Sequence, residues 1–257
     1  MKTRSLLPLL TAIFFFRQLP LSAQRPQPSC SSCNGYELVW NDEFNGNRLD
    51  RNKWNFHAPG KRRDAFNTPA AVSLDGHGFL KITASVRNDS VFAAILSTEG
   101  TFETRYGFFE CRAALTGTKG IWPAFWLFSP GNSDGNPAEK GAEIDIFEYF
   151  LHDKKDSVCH TLHYGGYGAH HQVSGPVWSP LKKTPDGFHT FGLEWTPDAY
   201  AIYVDGQRTL VSKDNISKVP EVILLSVEVD KLAAGTLDKS RLPDSFTVDY
   251  VRVFKKK

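Results

Sequence analysis

The run Gly141-Ala142-Glu143-Ile144-Asp145-Ile146-Phe147-Glu148-Tyr149-Phe150 sets three carboxylates inside a stretch that otherwise has the composition of a buried strand. Asp and Glu are depleted from strands and are seldom buried without a partner, so three of them among Ile, Phe and Tyr need a reason. Alternation along a strand puts Glu143 and Asp145 on one face and turns Ile144 and Ile146 toward a core. Glu148 falls out of step. One extra residue taken up as a β-bulge near Ile146-Phe147 returns it to the face of the other two acids, and bulges often re-aim a side chain beside an active site.

Carboxylates gathered in this way suit glycoside hydrolysis. A retaining glycosidase needs an ionised carboxylate as nucleophile and a protonated carboxyl as general acid, roughly 5–5.5 Å apart. Four effective strand steps separate the two Glu Cα atoms by roughly 13 Å, so the side chains must lean together. Asp145, between them, can share a proton with the nucleophile and by like-charge repulsion keep the acid protonated.

The chain has 257 residues, 41% of them hydrophobic, enough to bury a sizeable core in one domain. Thirty basic against 28 acidic residues leave a net charge of +2, which argues against a nucleic-acid surface. Lys2 and Arg4, the apolar run Leu6 to Phe16 and the small-residue site Leu21-Ser22-Ala23 form the pattern of a signal peptide over 1–23. The run is short for a bilayer span, so an exported protein without stable membrane insertion is expected. A Pro-rich leader over 24–35 follows, whose Cys30 and Cys33 are spaced to close a small disulfide. Cys111 and Cys159 fall in separate strand patterns, one toward the core and one toward the cleft, and are expected to stay reduced.

From Tyr36 onward, apolar or alternating runs of five to nine residues are separated by Gly, Pro, Asn and Asp clusters. About a dozen strands are expected, including Ile121 to Phe128, Ala142 to Phe150, Ser157 to Tyr164, Phe188 to Trp195, Glu221 to Val229 and Phe246 to Phe254. With no long helical period and no internal repeat, this predicts a single all-β domain over 36–257, a two-sheet sandwich of jelly-roll type with a substrate cleft. His160 and His163 fall on opposite strand faces, which makes a zinc site there improbable. The adjacent His170 and His171 read as plain loop residues. No nucleophile elbow, phosphate loop or dinucleotide fingerprint occurs.

The motif Glu143-Ile144-Asp145-Ile146-Phe147-Glu148, preceded by Lys119-Gly120-Ile121-Trp122-Pro123-Ala124-Phe125-Trp126-Leu127-Phe128, resembles the catalytic signature of glycoside hydrolase family 16, in its bulge-containing, laminarinase-like branch. Leu38 to Phe44, Arg105 to Arg112, His189 to Pro197 and Val248 to Val253 resemble further strands of that family. The resemblance implies Glu143 as nucleophile, Asp145 as its helper and Glu148 as acid/base, with no cofactor needed. It implies Trp122 and Trp126 as sugar platforms, the alternative being core packing. Glu110 and Arg112 match cleft-lining positions, a structural ion pair between them being the alternative. His163 would touch the leaving-group side, and Asn67 is either a weak cleft contact or a turn residue. A structural calcium on the convex side would use Asp249 and Glu43, unless both acids simply cap strand ends.

These expectations converge on a secreted, monomeric, endo-acting enzyme for a polysaccharide, with β-1,3- or mixed β-1,3/1,4-glucan as the expected substrate. The alternatives are hydrolysis of marine galactans, which the basic Lys61-Arg62-Arg63 keeps open, transglycosylation, and sugar binding without catalysis. Asp230 to Leu237 and the His pair depart from familiar β-1,3-glucanases and leave the substrate open.

Overall fold

The alternating pattern becomes seventeen strands among the residues that the computed structural model describes, which are 26–30, 33–150 and 156–257. The expected signal segment lies outside them. In chain order the strands are β1 (Tyr36–Asp42), β2 (Asn55–Phe56), β3 (Gly60–Arg62), β4 (Ala65–Asn67), β5 (Val72–Leu74), β6 (Leu80–Arg87), β7 (Ser90–Ser97), β8 (Gly107–Ala114), β9 (Trp122–Phe128), β10 (Glu143–Glu148), β11 (Ser157–Tyr164), β12 (Gln172–Pro180), β13 (His189–Trp195), β14 (Tyr200–Val204), β15 (Gln207–Ser212), β16 (Val222–Glu228) and β17 (Asp244–Lys256). The helices α1 (Pro137–Lys140) and α2 (Lys231–Ala234) are single turns.

Two antiparallel layers result. In one, β17 lies between β8 on one side and β6 and β1 on the other, and β8 continues through β13 and β14 to β15. The second runs β7, β16, β9, β10, β11, β12. The layers are joined where β6 turns into β7 through Asn88 and Asp89, both at positive φ, as a tight primed hairpin turn requires. β7 then pairs with β16 of the second layer. The architecture is the expected jelly-roll sandwich.

The core fills the space between the layers. Phe109, Cys111, Phe191 and Leu193 from the first meet Phe125, Leu127, Ile144, Ile146 and Phe147 from the second. The Phe147 and Phe191 rings have centroids 4.0 Å apart. Burying one such ring contributes about 2–3 kcal/mol.

Three features exceed the sequence-based expectation. Ser90–Ser97 and Gln172–Pro180 are full strands. The latter is mostly exposed and carries Gly175 and Pro176; among the described residues it pairs with β11 alone, and a sheet edge is where proline is tolerated. The leader is also part of the packed structure. Cys30 and Cys33 are disulfide-bonded with Cα atoms 5.3 Å apart, and they cluster with Tyr36, Phe108, Tyr203 and Phe254 on the outside of the first layer. Cys111 and Cys159 are buried free thiols.

Candidate active site

The bulge falls where the sequence places it. Against β9, Asp145 faces Trp126 while Phe147 faces Phe125, and against β11, Asp145 faces Thr161 while Glu148 faces Cys159. Three residues on β10 are thus spanned by two on β11. Consequently Ile146 and Phe147, consecutive in sequence, are both fully buried in the core, and Glu148 joins Glu143 and Asp145 in lining one cleft. Gly141 ends α1 two residues before β10, at φ +83°, where a Cβ would lie 2.2 Å from Ser129 Cβ, so glycine alone fits.

A buried histidine fixes the bulge. His160 Nδ1 donates to the Ile146 carbonyl at 2.7 Å, which leaves Nε2 to accept from the Ser179 hydroxyl at 2.7 Å. Burial holds the His160 pKa below its usual value, in keeping with this neutral form. His160 and His163 do point to opposite faces.

Burial dominates the electrostatics of the three acids. It pushes the Glu148 carboxyl up to about 8, helped by the charge of Asp145, while the Thr161 hydroxyl, donating to Glu148 Oε2 at 3.2 Å, works the other way. The Cys159 thiol lies 3.7 Å from the same oxygen. Burial, and then Glu143, drive Asp145 well above the usual carboxylate range. Glu143 is raised too, chiefly by burial, against a hydrogen bond from Tyr167 and the charge of His163. Three acids that cannot all ionise together share protons, as an acid/base pair with a helper requires.

The remaining cleft lining comes from His57, Arg62, Arg63, Trp122, Ala124, Trp126, Phe128, Tyr167, Ser226 and Glu228. Trp126 donates from Nε1 to Ser226 Oγ at 3.1 Å. Trp122 Nε1 is buried with no hydrogen-bond partner among the described residues, and the ring packs 5.1 Å from that of Phe150. Both tryptophans are wall residues of the cleft, on one strand face. The basic Lys61-Arg62-Arg63 starts in β3, and Arg62 and Arg63 line the cleft. Arg62 reaches Glu228 Oε1 at 2.7 Å, and Arg63 bonds Glu228 and, at 2.7 Å, Asp230. Two guanidinium groups therefore meet two carboxylates, and no net positive charge remains in that cluster.

Several expected site residues lie elsewhere. Glu110 and Arg112 are on β8, in the opposite layer, and neither lines the cleft. Cys111 points into the core, so its two neighbours face outward on the far side. Glu110 accepts from the Tyr250 hydroxyl and the Ser29 amide, and Arg112 pairs with Asp186 and Asp249 rather than with Glu110. Asn67 is neither a cleft contact nor a turn residue: it is the last residue of β4, buried, and donates to the Ala58 carbonyl at 3.0 Å, which holds the segment after His57. The calcium pair does not fit either. Asp249 is held by Arg112, and Glu43 forms a two-pronged pair with Arg252 at 2.7 and 2.9 Å. Acids neutralised by separate arginines do not form a calcium cage.

His163 stands beside Asp145, with Nε2 3.3 Å from Asp145 Oδ2. Glu143, Asp145 and His163 have one donor atom each within 4.8 Å of one another. With Tyr167 holding Glu143 and His163 facing Asp145, the cluster reads as carboxylate–imidazole chemistry. His170 pairs with Asp134 on the surface, as a loop residue would, but His171 meets His163 at 3.0 Å between ring nitrogens. Glu228 was within reach of sequence reasoning, since an acid closing the apolar run from Val222 poses the same question as Glu143. Tyr167, His171 and His57 lie in loops, where no periodicity reports on contacts.

Similarity to known proteins agrees with this geometry. The sequence profile for glycosyl hydrolases family 16 matches residues 79–252, and the chain belongs to that family. It is 29% identical over 247 residues to a β-glucanase of Rhodothermus marinus, with 86% of this chain and 85% of that protein covered. It is 32% identical over 238 residues to a keratan-sulfate endo-1,4-β-galactosidase of Sphingobacterium multivorum, with 86% of this chain but only 55% of that protein covered. Among solved structures, the catalytic domain of an endo-1,3-β-glucanase (laminarinase) from Thermotoga petrophila superposes with a TM-score of 0.71 at 31% identity, covering 86% of this chain and 98% of that one. The chain is accordingly an endo-acting glycoside hydrolase with the family's jelly-roll fold.

Proposed function

We propose that this chain is an exported, retaining endo-glycanase acting as a monomer on a neutral β-1,3- or mixed β-1,3/1,4-glucan. The observation that carries the reading is the bulge at Ile146, which brings Glu143, Asp145 and Glu148 to one cleft face. Glu148, protonated up to about pH 8, gives its proton to the glycosidic oxygen as that bond breaks. Glu143 attacks the anomeric carbon and becomes a glycosyl ester. Glu148, now a carboxylate, takes a proton from water, the resulting hydroxide displaces Glu143, and the starting protonation returns. Asp145 shares its proton with Glu143 when that carboxylate is free.

A neutral glucan is favoured by the internal neutralisation of Arg62 and Arg63, and by the β-glucanase and laminarinase among the similar proteins. A second reading, cleavage of a β-galactosyl polymer, is favoured by the relative that acts on keratan sulfate. The mature protein, from Gln24 onward, is assayed for reducing ends on laminarin, mixed-linkage glucan, keratan sulfate, agarose and carrageenan, with NMR of the first-formed anomer. Release from the glucans with retained configuration is expected. Release from keratan sulfate alone would replace the substrate, and an inverted product would remove Glu143 as nucleophile. Glu143→Gln should abolish turnover while leaving oligosaccharide binding in place.

A further inference from the structure

The glycine-rich loop between β11 and β12 brings two rings onto the catalytic acids. Gly165 and Gly166 have φ of +77° and +67°, and a Cβ would meet the His170 carbonyl oxygen at 2.4 Å and the Asp134 amide nitrogen at 2.9 Å respectively. Only glycine permits this path, which folds the loop back so that its last residue returns to its first strand. The His163 and His171 rings lie edge to edge, with centroids 5.2 Å apart and planes 9° from parallel, and the Tyr167 ring lies 4.8 Å from His171. His171 Nε2 is 3.0 Å from His163 Nδ1. Tyr167 lines the same cleft as Glu143, and its hydroxyl favours the Glu143 carboxylate.

His163 needs such support. Its Nε2 is in ion-pair range of Asp145 Oδ2, yet no well-directed hydrogen bond closes, and that buried oxygen has no other partner among the described residues. The directed bond to the ring is the one to His171. A nitrogen–nitrogen hydrogen bond holds one proton, so His163 Nδ1 either accepts from His171 or donates to it. Where it accepts, the neutral ring must carry its own proton on Nε2, facing Asp145. Where it donates, the neutral ring carries its proton on Nδ1 and turns a bare Nε2 toward Asp145, leaving the buried Oδ2 without a donor; the accepting arrangement supplies that donor. The groups facing this pair are Glu143, Asp145 and Glu148 from β10 and Tyr167 from the loop; Arg62 and Glu228 act on Glu143 from across the cleft.

We propose that His171 is a positioning residue for hydrolysis: it fixes the His163 proton on Nε2, so that His163 anchors one oxygen of Asp145 while Tyr167 anchors Glu143. This rests on the catalytic roles proposed above, but its geometry can be tested apart from them. His171 touches none of the reacting atoms. Its effect reaches Glu143 through His163 and Asp145, and displacement of a catalytic group by a fraction of an ångström is enough to slow turnover.

Two-bond 15N–1H correlation spectra of histidine-labelled protein report which His163 nitrogen carries the proton, with the signals assigned by their loss in His163→Asn. In the wild type, Nε2 should be protonated. In His171→Ala the two tautomers should mix, and in His171→Gln, whose amide can still donate to Nδ1, the wild-type pattern should return. On the best polymer, His171→Ala should lower kcat about tenfold with KM within about twofold, and His171→Gln should recover most of it. An unchanged His163 tautomer in His171→Ala overturns the proposal. So does an equal loss of kcat in both variants, since that would mark a merely structural residue. A wild type silent on every polymer would instead remove the catalytic assignment, and the spectra would still decide the role of His171.

Discussion

Thr161→Val isolates the electrostatics of Glu148. The Thr161 hydroxyl donates to Glu148 Oε2 at 3.2 Å in a site where both residues are buried, and valine keeps the shape while removing the donor. The bond stabilises the ionised carboxylate, so its loss favours the protonated form and raises the pKa. A hydrogen bond to a charged group contributes about 1.5 kcal/mol at the lower end of its range, and about 1.36 kcal/mol corresponds to one pH unit. The alkaline limb, set by a Glu148 carboxyl near 8, should therefore move to about 9. Reducing ends released from a soluble glucan are followed between pH 5 and 10, because kcat/KM against pH reports the free enzyme. The limb in Thr161→Val should rise by about one pH unit while the acid limb stays in place. An alkaline limb that does not move would mean that Glu148 is not the titrating acid. One that moves down would mean that the hydroxyl accepts from a protonated Glu148 instead of donating to it.

Glu221 is fully buried, accepts from the Ala142 amide at 3.2 Å and is pushed by burial up to about 8. Between its ordinary value and about 8, unfolding releases a proton, so stability falls as pH rises through that window and is flat below it. Glu221→Gln should melt several degrees above the wild type at pH 8 and level with it at pH 4.5; equal melting at both would refute the assignment. Trp122→Ala should raise KM for a long polymer about tenfold with little change in kcat, as for a platform that binds ground and transition state alike. A collapse of kcat at constant KM would place the ring at the reacting bond instead. Chelation with EDTA should leave the melting temperature unchanged, since arginines already neutralise Glu43 and Asp249. A rise of several degrees on adding calcium would contradict that pairing.

The legible and illegible parts of the site differ in how their positions are set. Glu143, Asp145 and Glu148 announce themselves because a charged group inside an apolar, alternating run is costly, and the mismatch at Glu148 localises the bulge to within one residue. The same alternation places Trp122 and Trp126 together and separates His160 from His163. It could not say which layer a strand joins. Glu110 and Arg112 have the right alternation, yet β8 runs in the layer away from the cleft, and only the non-local pairing of β8 with β17 and β13 decides that. Asp249 and Glu43 fail for a related reason. Their acidity was visible, but the guanidinium groups that neutralise them arrive from Arg112 and Arg252, 137 and 209 residues away in the chain. The loops are hidden most deeply. Arg63 and Tyr167 reach the cleft, and His171 reaches His163, through loops shaped by tertiary contact, as at Gly165 and Gly166. Alternation along a strand therefore exposes the three acids of the cleft, while these loop residues rest on contacts that no local pattern encodes.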